Sequence, residues 1–427
     1  MKTGIALAGG GSKGSYQTGV WKALRELGVE YEIVTGTSIG AINGALMVQG
    51  DYDRAERLWS TVTVEDIMAH GVNLKHDMDY YYENRDRLLE FAREFAASRG
   101  ADITPYQALI HQEFDEAAFL ASLVDYAAVA ARFPSLQLVE ARKADMIPGE
   151  IEPWLLASSS CFPVFPLCEI DGANYIDGGY ADNLPISTAF RLGAEQVIAV
   201  ALKPDAFEKN YPRHPLVQRI APSRPLGPFL DFSRDVLNRN FRLGYVDAMR
   251  AFGRYLGEKY AFRPEGERLL LDTARAYLLW LLRRDLAPAG SAVQSVLERL
   301  SGENHLSEQI FAHRSGDLRA MAVQGVEYFM ELLGYAHEDI YDLETLLPAL
   351  REELLRPDPA PAAAQAAALA ERLSRTDWRA QLRQIAPGGG GDDGELLLAT
   401  WRLYLREQTA AEPDGEEGVY AESGQSS

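Results

Sequence analysis

The chain has 427 residues, with 42 Lys and Arg against 62 Asp and Glu, a formal net charge of −20. Such a balance excludes nucleic acid as a partner and sets the chain's own field against anionic bilayers. Hydrophobic residues make up 47% and aromatic residues 10%, ample for a large core, and the length allows roughly two or three domains.

From the N-terminus, Thr3 to Ala8 is a short apolar run ended by glycines, which predicts a buried strand. Glycines interrupt too early for a signal peptide, so the chain reads as cytoplasmic. Ser15 is placed to cap the next helix, whose apolar face is Tyr16, Val20, Ala23 and Leu27 before Gly28 ends it. Between strand and helix lies Gly9-Gly10-Gly11-Ser12-Lys13-Gly14. Backbone N–H groups at the mouth of such a helix form an anion-binding concavity. A plain tight turn is the bland alternative. Gly9, Gly11 and Gly14 also fit the dinucleotide-binding G-x-G-x-x-G, but that site needs an acid closing the second strand, and Glu32 stands at its start. A phosphate-binding P-loop fails because Ser15 stands where Lys is required.

Glu32 to Thr35 predicts a second strand, and Ala41, Ile42, Ala45 and Leu46 share one side of a helix. Gly36-Thr37-Ser38-Ile39-Gly40 joins them as G-x-S-x-G, the strand–nucleophile–helix elbow. Gly36 and Gly40 remove side chains from a sharp turn, and Ser38 sits at a helix N-terminus that favours a developing alkoxide. An ordinary N-cap serine is the alternative.

Residues 63–102 read as an insertion, with Tyr80-Tyr81-Tyr82 ahead of an amphipathic helix, Arg87 to Ala97, whose apolar side carries Leu88, Phe91 and Phe95. Its place between nucleophile and base suits a lid or acyl-chain wall; a helix packed on the sheet edge fits equally. Asp125 to Arg132 and Leu136 to Arg142 flank Phe133-Pro134-Ser135 as a hairpin. Cys161 and Cys168, an isolated pair, read as reduced, buried thiols, with a loop-closing disulfide as the alternative.

Tyr175-Ile176 delivers Asp177 into Gly178-Gly179. A carboxylate is a poor base at its ordinary pKa of about 3.9, but direct contact with a serine hydroxyl and desolvation make it serviceable. An Asx-turn residue is the competing reading. His70, His76, His111, His214, His305, His313 and His337 all lack a strand-end or glycine context and read as solvated or structural.

Beyond about residue 264 the spacing turns helical, in Thr273 to Arg284, Ala292 to Leu300, Met321 to Leu333 and Glu395 to Glu407. Pro357 to Pro361 reads as a hinge and Gly388 to Gly391 as a flexible break. Residues 409–427, rich in Glu, Gly and Ser, read as a disordered acidic tail. The longest apolar candidate, Leu269 to Leu282, is broken by Asp272 and Arg275, so no transmembrane helix is expected.

With these motifs in hand, the chain resembles the patatin-like phospholipase family, in its bacterial members. The family's oxyanion loop matches Gly9 to Gly14, with Lys13 where many members carry Arg. Its nucleophile elbow matches Gly36 to Gly40 around Ser38, and its base motif matches Asp177-Gly178-Gly179. Leu155 to Ser158 before Phe162-Pro163, Asp182 to Pro185, and Gly193-Ala194 before the strand Gln196 to Leu202 also look like family sequence. Ile220 to Phe262 looks like an extension found in some bacterial members. The resemblance implies an α/β fold, a three-layer α/β/α patatin-like sheet with an α-helical C-terminal region. Its expected domains are a catalytic domain over 1–204, the extension packing on it over 205–263, and helices over 264–408. It implies phospholipase A or lysophospholipase-type hydrolysis of carboxyl esters through a Ser38–Asp177 dyad, without metal or cofactor, on a lipid or lysolipid met at a membrane surface. The alternative is a catalytically silent patatin-fold binding or regulatory protein. Lys for Arg at position 13 keeps the charge and loses bidentate geometry.

Overall fold

A computed structural model describes residues 1–73, 100–207, 214–286, 318–357, 364, 367–371, 374 and 393–411. The expectations for Tyr80 to Tyr82, Arg87 to Ala97, Ala292 to Leu300, Gly388 to Gly391, the hinge beyond Pro357 and nearly all of 409–427 lie outside those residues. So do His76, His305 and His313. The chain forms two compact units. The first comprises Met1–Tyr255 with Lys259–Ala261 and His337–Ile340, and the second comprises the remainder.

In chain order the first unit contains β1 (Thr3–Leu7), α1 (Gly14–Glu26), β2 (Ile33–Thr37), α2 (Ile39–Gln49) and α3 (Tyr52–Thr61). Then follow α4 (Thr104–Glu113), α5 (Glu116–Ala121), β3 (Asp125–Arg132), β4 (Gln137–Arg142), α6 (Ile151–Ser159), β5 (Cys168–Ile170) and β6 (Ala173–Asp177). It closes with α7 (Ile186–Arg191), β7 (Gln196–Val200), β8 (Val217–Ile220) and α8 (Arg234–Ala251). The expected hairpin is β3–β4. Ser15 does not cap α1: a 3₁₀ turn over Gly11–Lys13 starts the helix early, and the Ser15 hydroxyl donates to Ser12 O within it at 3.2 Å.

The eight strands form one sheet in the order β5-β6-β3-β2-β1-β7-β8, with β4 on the remaining edge of β3. β3, β2, β1, β7 and β8 are mutually parallel, whereas β4, β5 and β6 pair antiparallel. The central strands β1 and β2 are buried throughout, as strands covered on both faces must be. Successive residues of β1 point to opposite faces. A side chain at Gly4 would lie 2.9 Å from Ala194 and 3.3 Å from Ala189 of α7, whereas Leu7 packs on the other face beside Gly44 of α2. Helices therefore cover both faces of the sheet.

β4 pairs with Ala127 to Arg132 of β3, so β2 and β6 must share the opposite edge. β2 pairs there up to Thr37 with Val129, and β6 takes over from Asp177 with Ala130. Thr35 and Thr37, buried on β2, donate to Pro185 O at 2.9 Å and Asp182 O at 2.8 Å, which ties β2 to the segment after β6.

α8 packs on α1 through a buried polar knot. Asp247 accepts from Tyr16 Oη at 3.1 Å and Ser223 N at 3.0 Å and pairs with Arg250, whose side chain is only 9% exposed.

The second unit contains α9 (Glu267–Leu286), α10 (Leu318–Leu332), α11 (Leu343–Leu355) and α12 (Asp393–Ala411). Its core stacks Tyr277 of α9 on Trp401 of α12 at 4.2 Å between ring centres, and Tyr277 Oη meets Thr400 Oγ1 at 2.6 Å. Buried Arg402 donates to Leu354 O and, at 2.8 Å, to Arg356 O, closing the end of α11. Among the described residues no helix is long and apolar enough to cross a membrane.

Removing one partner of a buried ion pair strands the other charge, at a cost of about 3–5 kcal/mol. Asp247→Ala is therefore expected to lower unfolding stability by that order in urea titration, and Tyr16→Phe by about 1 kcal/mol.

Candidate active site

β1 and β7 are adjacent and parallel, and both release their loops at the carboxyl ends, where open α/β sheets bind ligands. The glycine loop is fixed from several sides. Ala8 N donates to Val200 O at 3.1 Å, and Gly9 N to Asn183 O at 3.0 Å. Asn183 Nδ2 returns a bond to Gly9 O at 3.3 Å. Ser12 donates from its amide to Phe229 O at 2.8 Å and from its hydroxyl to Pro228 O at 3.2 Å. Gly11 has φ +59°, and a Cβ there would stand 2.1 Å from Phe229 O. The amides of Gly9, Ser12 and Lys13 are thus committed to backbone carbonyls. Among the described residues, those of Gly10 and Gly11 have no protein acceptor, nor does that of Ile39 in the first turn of α2.

A buried polar chain props the loop from beneath. Gln17 Nε2 donates to Ala8 O at 2.7 Å, Asn43 Nδ2 to Gln17 Oε1 at 2.8 Å and to Gly14 O at 3.0 Å, and Trp59 Nε1 to Asn43 Oδ1 at 3.0 Å. Motif reading misses these residues. Their signal is two amides, Gln17 and Asn43, each inside an otherwise apolar helix face. The Pro228-Phe229 loop leaves no chemical signal, because it acts through backbone carbonyls and distant packing, and Asn183 shows only as family-like sequence without a role.

Ser38 sits between β2 and α2 at φ 56°, ψ −127°, a left-handed conformation that non-glycine residues rarely adopt. The elbow closes so tightly that a Cβ at Gly36 would lie 2.2 Å from Gly40 O, and one at Gly40 would lie 2.4 Å from Leu7 O. Thr37 is the last residue of β2, and Ile39 opens α2.

Asp177 ends β6 and is 7% exposed. Its carboxylate accepts from Gly179 N at 2.7 Å, so the Asx-turn reading describes its geometry. The Ser38 side chain also acts on this carboxylate, favouring its charged form. Burial pushes its pKa up to about 6, against the opposing pull of the Ser38 side chain and the Gly179 bond. Gly178 is required where the chain leaves β6: a Cβ there would stand 2.1 Å from Val129 O.

Ser38 and Asp177 open into a cavity of about 530 Å³. The glycine loop lines it together with Lys13, Lys203 and an apolar wall that includes Ile42, Leu58, Ile67, Ile110, Phe165 and Leu184. Ser12 and Gly14 hold the loop from behind and do not line the cavity. Burial, then the charge of Lys203, lowers the Lys13 pKa. Cys161 and Cys168 are free, only partly buried thiols; burial raises both pKa values, and the charge of Asp177 adds to that of Cys161. None of the described histidines lines the cavity: His111 meets Glu152 at 3.1 Å on the surface, and His337 stacks on Tyr260 at 4.2 Å. Among the described residues no group of His, Cys, Asp and Glu could hold a metal ion.

Comparison with known proteins agrees with this architecture. Residues 5–190 match the family model described as patatin-like phospholipase. The chain is 30% identical over 209 residues to patatin-like phospholipase domain-containing protein 7 of Mus musculus, a match covering 47% of this chain and 14% of that one. It is 27% identical over 213 residues to lysophospholipase NTE1 of Chaetomium globosum, covering 49% and 12%. The chain thus spans only a small part of the length of these relatives. Among solved structures, VipD from Legionella pneumophila covers 95% of this chain and 91% of its own at 11% identity, with a TM-score of 0.34. Residues 5–190, which carry the glycine loop, the serine elbow and Asp177, are a domain of the patatin-like phospholipase family.

Proposed function

We propose that the chain is a serine lipid acyl hydrolase, cleaving carboxyl esters of phospholipids or lysophospholipids through Ser38 and Asp177 alone. The observation that carries this reading is the strained elbow serine Ser38 lining one apolar cavity with a buried carboxylate of raised pKa, Asp177, beside amides without an acceptor. A base titrating near 6 is ionised at neutral pH and still basic enough to accept the hydroxyl proton.

In the proposed reaction, Ser38 Oγ attacks the ester carbonyl carbon while its proton passes to Asp177. The carbonyl oxygen becomes an oxyanion, met by the N–H groups of Gly10 and Gly11 and, from the helix N-terminus, of Ile39. Collapse breaks the bond to the alcohol oxygen, which takes the proton from Asp177, and leaves an acyl group on Ser38. Water, deprotonated by Asp177, then hydrolyses that ester and regenerates both residues. The apolar wall receives the acyl chain. Ile67 already contributes to it, which supports a role for the insertion at 63–102 as part of the acyl-chain wall.

Ser38→Ala is expected to abolish both ester hydrolysis and covalent labelling by a fluorophosphonate probe, and Asp177→Asn to lose activity as deeply, because the pair acts as a unit. Each of the seven His→Gln variants should stay within a few-fold of wild type. Ionised Asp177 is the active form, so kcat/KM should rise with pH through about 6 and then level off. A single His→Gln variant that folds yet loses about three orders of magnitude would replace the dyad with a triad.

The same carboxylate should lower stability. Its pKa is about 6 folded against 3.8 unfolded, so the folded state binds the proton more tightly, and the destabilisation is absent below about pH 4 and complete above about pH 6. Asp177→Asn should therefore raise the melting temperature at pH 8 and leave it nearly unchanged at pH 4. A lower melting temperature at pH 8 would contradict the buried-charge account.

Gly11→Val places a branched side chain against Phe229 O at positive φ. It should displace the loop and reduce kcat by at least the roughly 10²–10³-fold of a lost oxyanion donor, with a folded circular-dichroism spectrum. Near-normal turnover would remove the loop from the mechanism.

A further inference from the structure

Ser158 closes the gap that the elbow opens in the sheet. β2 ends at Thr37, paired with Val129, and the chain then turns away into α2. Ser158, in the last turn of α6 and fully buried, stands between the two backbones. Its hydroxyl donates to Val129 O at 2.6 Å and accepts from Ser38 N at 2.9 Å. Two residues further on, Ser160 O accepts from Asp177 N at 2.8 Å. One helix end therefore holds the amides of both Ser38 and Asp177.

We propose that Ser158 is a positioning residue for the dyad, whose hydroxyl fixes the strand side of Ser38 and so the aim of Ser38 Oγ at Asp177. On the helix side, Ser38 is anchored by Ala41 N donating to Ser38 O at 2.9 Å. On the strand side its amide has the Ser158 hydroxyl. A residue held at φ 56° is strained and persists only where its surroundings over-determine it. Without the hydroxyl, Ser38 N–H and Val129 C=O would both lose this partner in a buried site, and Ser38 would rotate towards relaxed geometry. Misplacing a reacting atom by about 1 Å can cost about 10²-fold in rate. The substrate's binding wall is untouched, because Ser158 does not line the cavity.

This inference rests on the proposed dyad, and the test separates the two. Steady-state kinetics of the full chain on a lysophospholipid over a range of pH should show kcat of Ser158→Ala reduced by roughly 10- to 100-fold with KM unchanged. The acidic limb should also move to higher pH, because the Ser38 side chain that holds the Asp177 pKa down is displaced. Ser158→Thr keeps the hydroxyl and should restore both rate and limb, whereas the equally shaped Ser158→Val should not. If Ser158→Ala fails to fold, if its rate falls with the limb in place, or if Thr and Val behave alike, Ser158 is structural support only and the inference is wrong. Wild-type protein that neither hydrolyses the lipid nor takes the fluorophosphonate label would overturn the dyad and this inference together. An active, labelled wild type with an unmoved Ser158→Ala overturns this inference alone.

Discussion

One edge of β3 organises the site. Because β4 occupies the other edge, the parallel strand β2 and the antiparallel strand β6 meet on the same one, arriving from opposite directions. They stop on consecutive rungs, Val129 and Ala130. Two segments far apart in sequence thereby end side by side, one in Ser38 and the other in Asp177. Hydrogen-bond register, rather than flexible side-chain reach, sets their separation. The glycines follow from this crowding. Gly178 passes so near Val129 O that no side chain fits, and Gly36 and Gly40 do the same for the turn out of β2.

Burial has opposite effects on function and stability here. Taking the Asp177 carboxylate out of water disfavours its charged form and moves its pKa to about 6. That is close to the value of roughly 6.5 at which a histidine works without help. In the proposed reaction an aspartate so placed does the work of the imidazole that a carboxylate backs in a Ser-His-Asp triad. In the proposed dyad a second acid is unnecessary, because the base would take the hydroxyl proton directly. The cost is a charged group held in an apolar setting, offset only in part by the Ser38 side chain and the Gly179 bond.

The legible parts of this site are those governed by local backbone chemistry. Three glycines after an apolar run, glycines either side of a serine and two glycines after an aspartate each mark a turn that only glycine permits. These turns carry Gly10, Ser38 and Asp177. Ser15 misleads because its cap position depends on where the 3₁₀ turn begins, and the Pro228-Phe229 loop, more than two hundred residues away, decides that. Gln17, Asn43 and Trp59 form their chain only once α1, α2 and α3 have packed together. β5 has three residues with Glu169 exposed, and β8 lies at the sheet edge with Gln218 exposed, so neither shows a buried-strand pattern. Ser158 looks like family sequence without a role, since its partners come from β3 and the elbow.

Net charge turns out to be a weak guide to the cavity mouth. At physiological salt a charge is screened beyond about 8 Å, so the lipid substrate proposed for the cavity would meet the local field rather than the whole −20. The charged side chains lining the cavity are Lys13, Glu113, Asp177 and Lys203. Among the described residues neither lysine forms an ion pair, and the charge of Lys203 adds to burial in lowering the Lys13 pKa. For an acyl chain the apolar contribution dominates: each methylene taken from water contributes about 0.8 kcal/mol. A few methylenes against Ile42, Leu58 and Ile110 exceed what long-range repulsion can oppose. The net acidic charge of the chain and the proposed lipid substrate are therefore compatible, because Lys13, Lys203 and the apolar wall line the same cavity as the glycine loop.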